Sequence, residues 1–219
     1  MARRLRSSPL RRLLAVSLVA AVALPLSGCV LPLPQPEPQP TVEPEPTAEA
    51  DKLAPGELPA TLGFDDGELL PQTANIQWGD SLAFEEEWIT VAPKNDQGMW
   101  VRRNTDLDCT VDYWEGTLDD PTYADLGDRA GSDALVALLA NAPADMIHTD
   151  ASDITLRYQP DGEYTVEARG IKGETWAIAA RAFTHINRGV YAHIRCIEGS
   201  DPQVILTEVA ENNPLIIDP

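Results

Sequence analysis

Two runs near the C-terminus place cationic and aromatic side chains at alternate positions. The runs cover residues 175–186 and 190–197, and Asn187-Arg188-Gly189 between them is typical of a hairpin turn. Because alternate residues of a strand share a face, one face of this hairpin is predicted to form a binding patch. The candidate patch consists of Arg181, Phe183, His185, Tyr191, His193 and Arg195.

This patch suits an anionic ligand or an acidic protein partner, because arginine forks and flat aromatic rings favour such contacts. The opposite face is predicted to join the core through Ala182, Thr184 and Val190. Protonation of the histidines is expected to strengthen binding below about pH 6.5. Replacing Arg181 and Arg195 is expected to leave stability nearly unchanged. In the alternative interpretation a helix covers this face and its cations pair with acids.

Catalytic signatures are missing from the sequence. There is no Gly-x-Ser-x-Gly elbow, no His-Glu-x-x-His zinc helix and no phosphate-binding glycine loop. The histidines are scattered, and the acids of residues 119–133 lack the spacing of a calcium loop. We therefore predict no metal, no cofactor and no catalysis, and expect a binding or assembly module. A cell-envelope hydrolase without a recognisable motif is the rival, and a weak cation site in the acidic loop stays open.

Two cysteines, Cys109 and Cys196, remain if Cys29 is modified. An even pair outside the cytoplasm predicts one disulfide, and each cysteine lies on the inward parity of its predicted strand. A redox-active pair is the alternative, although such thiols usually form a Cys-x-x-Cys motif.

The N-terminus is basic and then apolar. Five arginines precede an apolar stretch over residues 13–26, and Leu26-Ser27-Gly28-Cys29 resembles the lipobox of bacterial lipoproteins. The resemblance implies that residues 1–28 are a signal peptide and that lipid on Cys29 anchors the chain to the outer face of the cytoplasmic membrane. The alternative, a transmembrane anchor, is disfavoured because about 14 apolar residues are too few to cross a bilayer.

Proline and acidic residues dominate the segment that follows. Residues 29–72 are predicted to be the lipidated cysteine and a disordered tether, and residues 73–219 a single domain. Removal of residues 1–28 leaves 11 basic and 35 acidic residues, a net charge of −24. Such a charge excludes nucleic acid as a partner.

The domain sequence alternates between strand and helix patterns. Strands are predicted over 87–92, 98–103 and 107–114, and a four-strand meander over 153–197. One helix is predicted after the N-cap Ser132 and another after Asp201-Pro202, and a last strand over 215–218. The fold class is therefore α+β, an antiparallel sheet with two packed helices.

This order of elements is similar to the PsbP-like α/β/α sandwich, which mycobacterial lipoproteins of the LpqN type also adopt. The resemblance covers residues 87–219 and depends on pattern rather than on a signature motif. It implies an accessory or binding protein and transfers no active-site residue. A cystatin-like α+β fold is the alternative.

Replacing the lipobox cysteine tests the anchor. We expect Cys29→Ser to leave the chain uncleaved or released from the membrane, because serine has no thiol to form the thioether to lipid. Mass spectrometry of the N-terminal peptide from the membrane fraction measures this. An acylated N-terminus in that variant would refute the assignment.

Overall fold

The computed structural model describes residues 57–159 and 163–219. The predicted signal peptide, the lipidation site Cys29 and the first part of the predicted tether lie outside these residues. Within the described ranges, no helix is long and apolar enough to cross a membrane.

The folded region contains ten strands and three α-helices within the described residues. The strands are β1 Thr61–Leu62, β2 Asn75–Trp78, β3 Trp88–Ala92, β4 Met99–Asn104, β5 Cys109–Thr117, β6 Ser152–Arg157, β7 Thr165–Lys172, β8 Trp176–Phe183, β9 Arg188–Cys196 and β10 Leu215–Asp218. The helices are α1 Asp128–Ala140, α2 Ala144–Asp150 and α3 Pro202–Asn212. Short 3-10 helices cover Phe64–Leu69, Ser81–Phe84, Pro121–Asp125 and Thr184–Ile186.

Eight strands form one mixed sheet in the order β1-β7-β8-β9-β5-β4-β3, with β6 also paired to β7. All its ladders are antiparallel except β1 with β7. Thr165 and Val166 of β7 pair with both β1 and β6, whereas Arg169 and Gly170 pair with both β6 and β8. Strands β1 and β8 therefore pair with the same edge of β7, β1 near its beginning and β8 near its end, and β6 pairs with the other edge. Strand β10 pairs with β2 in a separate two-stranded sheet.

Helices pack on both sides of the main sheet. Helix α1 lies against β7 and β8 and buries Leu135 and Val136, whereas α3 lies on the other side and buries Ile205 and Val209 among the residues of β9. The fold class is thus α+β, as predicted. Helix α2, which buries Ile147 beside α1, was not predicted.

Helix α1 begins four residues before the predicted N-cap. Gly127 is the N-cap, and Ser132 lies inside the helix, where its hydroxyl donates to the Asp128 carbonyl and accepts from the amide of Ala182. A Cβ on Gly131 would meet Ala182 at 3.0 Å, so the absence of a side chain lets α1 approach β8 closely. The N-cap prediction was wrong because Ser132 is used for packing against the sheet.

The folded region also begins earlier than residue 73. Leu62 and Leu70 are buried in the main core, and β1 adds to the edge of β7. The part of the predicted tether from residue 57 to residue 72 is therefore packed on the domain. The prolines and acidic residues of this segment concealed the short alternation of Leu58, Ala60, Leu62 and Phe64.

The predicted disulfide is present. Cys109 and Cys196 are bonded, and they are direct partners in the β5–β9 ladder. The bond closes a separation of 87 residues and joins two central strands of the sheet.

Removing this bond should destabilise the fold. We expect Cys109→Ala with Cys196→Ala to lower the free energy of unfolding by roughly 3–5 kcal/mol, because the unfolded chain regains the entropy of a long open loop. Urea unfolding of the double variant beside the oxidised parent measures the loss. Two alkylatable thiols in the native parent, or equal stability of the two proteins, would contradict this prediction.

Candidate functional site

The six residues of the predicted binding patch do not share one face. Strand β8 ends at Phe183, and the turn is a 3-10 helix over Thr184–Ile186 closed by Asn187 in the left-handed region at φ 55°. In the resulting register Arg181 pairs with Val190. The predicted hairpin register is off by an odd number of residues, and such a shift moves one strand's side chains to the other face of the sheet.

Arg181 and Phe183 accordingly belong to the core. Both side chains are fully buried, and the Arg181 guanidinium donates to the Asp128 carboxylate at 2.8 Å. It also donates to the carbonyls of Gly63 at 2.9 Å and Glu167 at 3.1 Å. Burial lowers the pKa of Arg181 to about 10, and the charge of Asp128 opposes this shift. The prediction that Arg181 is exposed was wrong.

The other four residues lie in two places. His185 lies exposed in the turn, where the side chain of Gln72 donates to its backbone carbonyl at 2.7 Å. Tyr191, His193 and Arg195 point to the side of the sheet that also carries α1. Helix α1 packs mainly against β7 and β8, however, and the side chains further across the sheet stay partly or fully exposed.

We call this exposed region the open face. Three rows of direct cross-strand partners define it, and the register places each row on one side of β8, β9, β5 and β4. The rows are Trp176, Arg195, Thr110, Arg103 and Ile89; His193, Asp112 and Val101; and Tyr191, Trp114 and Met99. On β8 the second and third rows continue into Ile178 and Ala180, which are fully buried beside α1 and are not part of the open face.

Aromatic and apolar side chains dominate the open face. Trp114 stacks on Tyr191 with ring centroids 5.4 Å apart, and both rings are half-buried. At the edge strand β3, Ile89 is 46% exposed, and Met99 of β4 is 38% exposed. These side chains offer a contiguous apolar surface that remains in contact with water.

The charges of the open face are few and mostly positive. Arg195 and Arg103 form ion pairs with Asp112 and Asp108 respectively, each through a single terminal nitrogen. Asp112 is the one acid within the three rows, on a chain with 35 acids. Burial lowers the pKa of His193. The charge of Asp112 opposes this shift, and the charge of Arg195 adds to it. The lowered pKa opposes the predicted strengthening of binding below about pH 6.5, because His193 gains its charge only at a lower pH.

A groove of about 650 Å³ adjoins the third row. Met99 and Trp114 line it together with Lys94, Thr117 and Arg188. The open face thus continues into a concave surface at the β3–β4 turn.

The remaining histidine, His148, belongs to a separate cluster. Its Nδ1 lies 3.1 Å from a carboxylate oxygen of Asp133, which also accepts from the buried Arg169. Arg169 contacts Asp153 as well, so the cluster joins α1, α2, β6 and β7. No group of three or more His, Cys, Asp or Glu side chains suited to a metal ion occurs in the described part of the chain.

The sequence predicted three residues of the open face, Tyr191, His193 and Arg195, and missed the others. Trp176, Trp114, Met99 and Val101 come from three strands, and only the long-range register places them beside Tyr191 and Arg195. The period-two pattern of residues 107–114 contained the signal for Trp114, because it put the even positions on the outward side. No protein family, curated protein or solved structure gives a significant match to this chain.

Two matched arginine variants test the corrected assignment. We expect Arg181→Met to lower the free energy of unfolding by roughly 3–5 kcal/mol, because it leaves the Asp128 carboxylate buried without its cation. Arg195→Met, on the open face, should change it by no more than about 0.5 kcal/mol. Denaturant unfolding measures both. Equal losses in the two variants would contradict the burial of Arg181.

Proposed function

We propose that this chain is a lipid-anchored extracytoplasmic lipoprotein that binds an acidic protein partner through the open face, without catalysis. The three rows of aromatic, apolar and arginine side chains carry this proposal. The lipid on Cys29 holds the chain at the outer face of the cytoplasmic membrane and presents the domain to its partner.

The composition of the open face favours a protein as the partner. Tryptophan, tyrosine, methionine and arginine are the residues enriched in protein interfaces and in their energetic centres, whereas acidic residues are depleted there. Trp114, Tyr191 and Met99 form a row of this kind. Arg195 and Arg103 lie in the first row, two residues along their strands from His193 and Val101.

Charge complementarity favours an acidic partner. The rows contain two arginines and one aspartate, although the whole chain has a net charge of −19. Each arginine uses one terminal nitrogen in its ion pair and has further N–H donors in its fork, which match the carboxylates of a partner. The remaining acidic surface disfavours acidic proteins in other orientations, so it restricts binding to this face.

The order of the elements supports the PsbP-like α/β/α sandwich as the finer fold assignment. Strands β3, β4 and β5 precede α1, the meander β6 to β9 follows, and α3 with β10 closes the chain. Helices pack on both sides of the sheet, as that assignment requires. It is consistent with an accessory or assembly role.

A photo-crosslinking experiment tests the docking surface. A benzophenone derivative of phenylalanine is placed at Met99 in the lipid-anchored full chain, and the matched control carries it at Val204 on α3. We expect a defined adduct from Met99 alone, because Val204 lies on the other side of the sheet. Mass mapping should place the crosslink in a peptide rich in Asp and Glu.

Charge reversal provides the second readout. Arg103→Glu with Arg195→Glu should lower the adduct yield at Met99 roughly tenfold, because acidic partners are then repelled. Equal adducts from Met99 and Val204, or a yield that charge reversal leaves unchanged, would exclude the open face as the docking surface.

A further inference from the structure

A second concave site lies on the opposite side of the sheet from the open face. It is a cavity of about 360 Å³ between the end of β2 and the strands β3 and β4. Its volume lies within the range of small-molecule sites in proteins. The lining residues are Trp78, Gly79, Asp80, Thr90, Pro93, Lys94, Trp100 and Arg102.

Aromatic rings form the walls of this cavity. Trp78 and Trp100 both line it, and Tyr113 lies behind them, stacked on Trp100 at 5.1 Å and edge-on to Trp78 at 5.4 Å. The three rings support one another, so the two indoles are held in place before any ligand enters. Flat, rigid walls of this kind favour a flat ring as the ligand.

The polar groups of the cavity are mostly donors. Trp78 is 95% buried, and its Nε1 has no hydrogen-bond acceptor among the described residues. Arg102 is also buried and donates to Thr90 at 3.1 Å and to Asp80. The Trp78 Nε1 is closed off from water, so Arg102 and Lys94 are the donors through which the cavity can hold an acceptor of a ligand.

The charges of the lining decide between an anionic and a cationic ligand. Aromatic walls alone also suit a quaternary ammonium ion. Lys94 already lies over the Trp100 ring at 5.2 Å, and it pairs with Glu115, which does not line the cavity. Two cations, Lys94 and Arg102, and one carboxylate, Asp80, line the cavity, and this balance disfavours a cationic ligand.

Asp80 is the exchangeable partner of Arg102. Its side chain is 64% exposed, whereas that of Arg102 is 8% exposed. An incoming carboxylate can therefore take the guanidinium fork while Asp80 returns to water at little cost. From these contacts we propose that the cavity binds a small ligand in which a flat-faced ring carries a carboxylate.

Two classes of compound share this chemistry, an aromatic acid and a sugar acid. The test titrates the full chain, labelled with nitrogen-15, with benzoate, with glucuronate and with the neutral isostere benzamide. Indole N–H signals report the site, because Trp78 and Trp100 line the cavity whereas Trp114 and Trp176 lie on the open face. For probes this small we expect a Kd of about 1 mM.

Variants separate the carboxylate contact from simple apolar binding. Arg102→Lys keeps the charge but loses the fork, and it should weaken binding of the acid at least about tenfold. Trp78→Phe keeps an aromatic wall but reduces its area, and it should weaken binding of the ring. The matched control is Arg103→Lys, the neighbouring residue on the open face, which should bind as the parent does. Lys94→Gln, at an exposed position, provides a variant that folds even if Arg102→Lys does not.

The outcomes are distinct. Benzoate binding that weakens in the cavity variants supports the proposal with an aromatic acid, and the same result with glucuronate supports it with a sugar acid. Benzamide binding as tightly as benzoate would overturn it, because the cavity would then recognise only an apolar ring. Absence of any shift of the Trp78 and Trp100 signals with both acids would overturn it as well.

Discussion

The buried ion pair between Arg181 and Asp128 is the contact on which the arrangement of the sheet and its first helix depends. The Arg181 guanidinium donates to the carbonyls of Gly63 and Glu167, near the point where the partner of β7 changes from β1 to β8. One carboxylate oxygen of Asp128 accepts from Arg181, and the other accepts from the amide and the hydroxyl of Thr184. The N-terminal segment, the sheet, the hairpin turn and α1 thus meet at one charge pair. Because burying two charges is costly, the pair is tolerable only when all these partners are in place, which favours a single arrangement.

Local patterns in the sequence predicted most of the secondary structure. The alternation of residues 107–114 predicted β5, and Asp201 caps α3 as expected, accepting from the amide of Gln203 at 2.9 Å. The disulfide followed from strand parity and cysteine number. The strand and the helix cap depend on residues a few positions apart. The disulfide spans 87 residues, but it is the one pairing that two cysteines allow once Cys29 is set aside. Strands β1 and β2, whose partners are distant, carried no comparable signal. Helix α2 was missed because it is seven residues long and buries Ile147 alone.

The candidate site was predicted only in part, for a reason that Arg181 makes clear. The charge and alternation of the sequence predicted that Arg181 lies on the same face as Arg195. The turn begins at Thr184, however, and the observed register of β8 and β9 differs from the predicted one by an odd number of residues. The two arginines therefore lie on opposite faces of the sheet. A sequence does not reveal whether a cation on a strand meets water or a buried carboxylate 53 residues away. Tyr191, His193 and Arg195 were placed correctly relative to one another, because they share a strand. Their neighbours Trp114 and Trp176 required the tertiary register.

The position of the disulfide has a consequence for the register of the sheet. Cys109 and Cys196 are direct partners in the β5–β9 ladder, and a slip of one residue would carry their sulfurs to opposite sides of the sheet. Between these two paired strands, therefore, only the native alignment brings the sulfurs together. Once formed, the bond holds β5 and β9 in that alignment and excludes registers shifted by one residue. The same alignment decides which side chains of β9 face water, so one covalent bond fixes the composition of the exposed side of this strand along with its place in the fold.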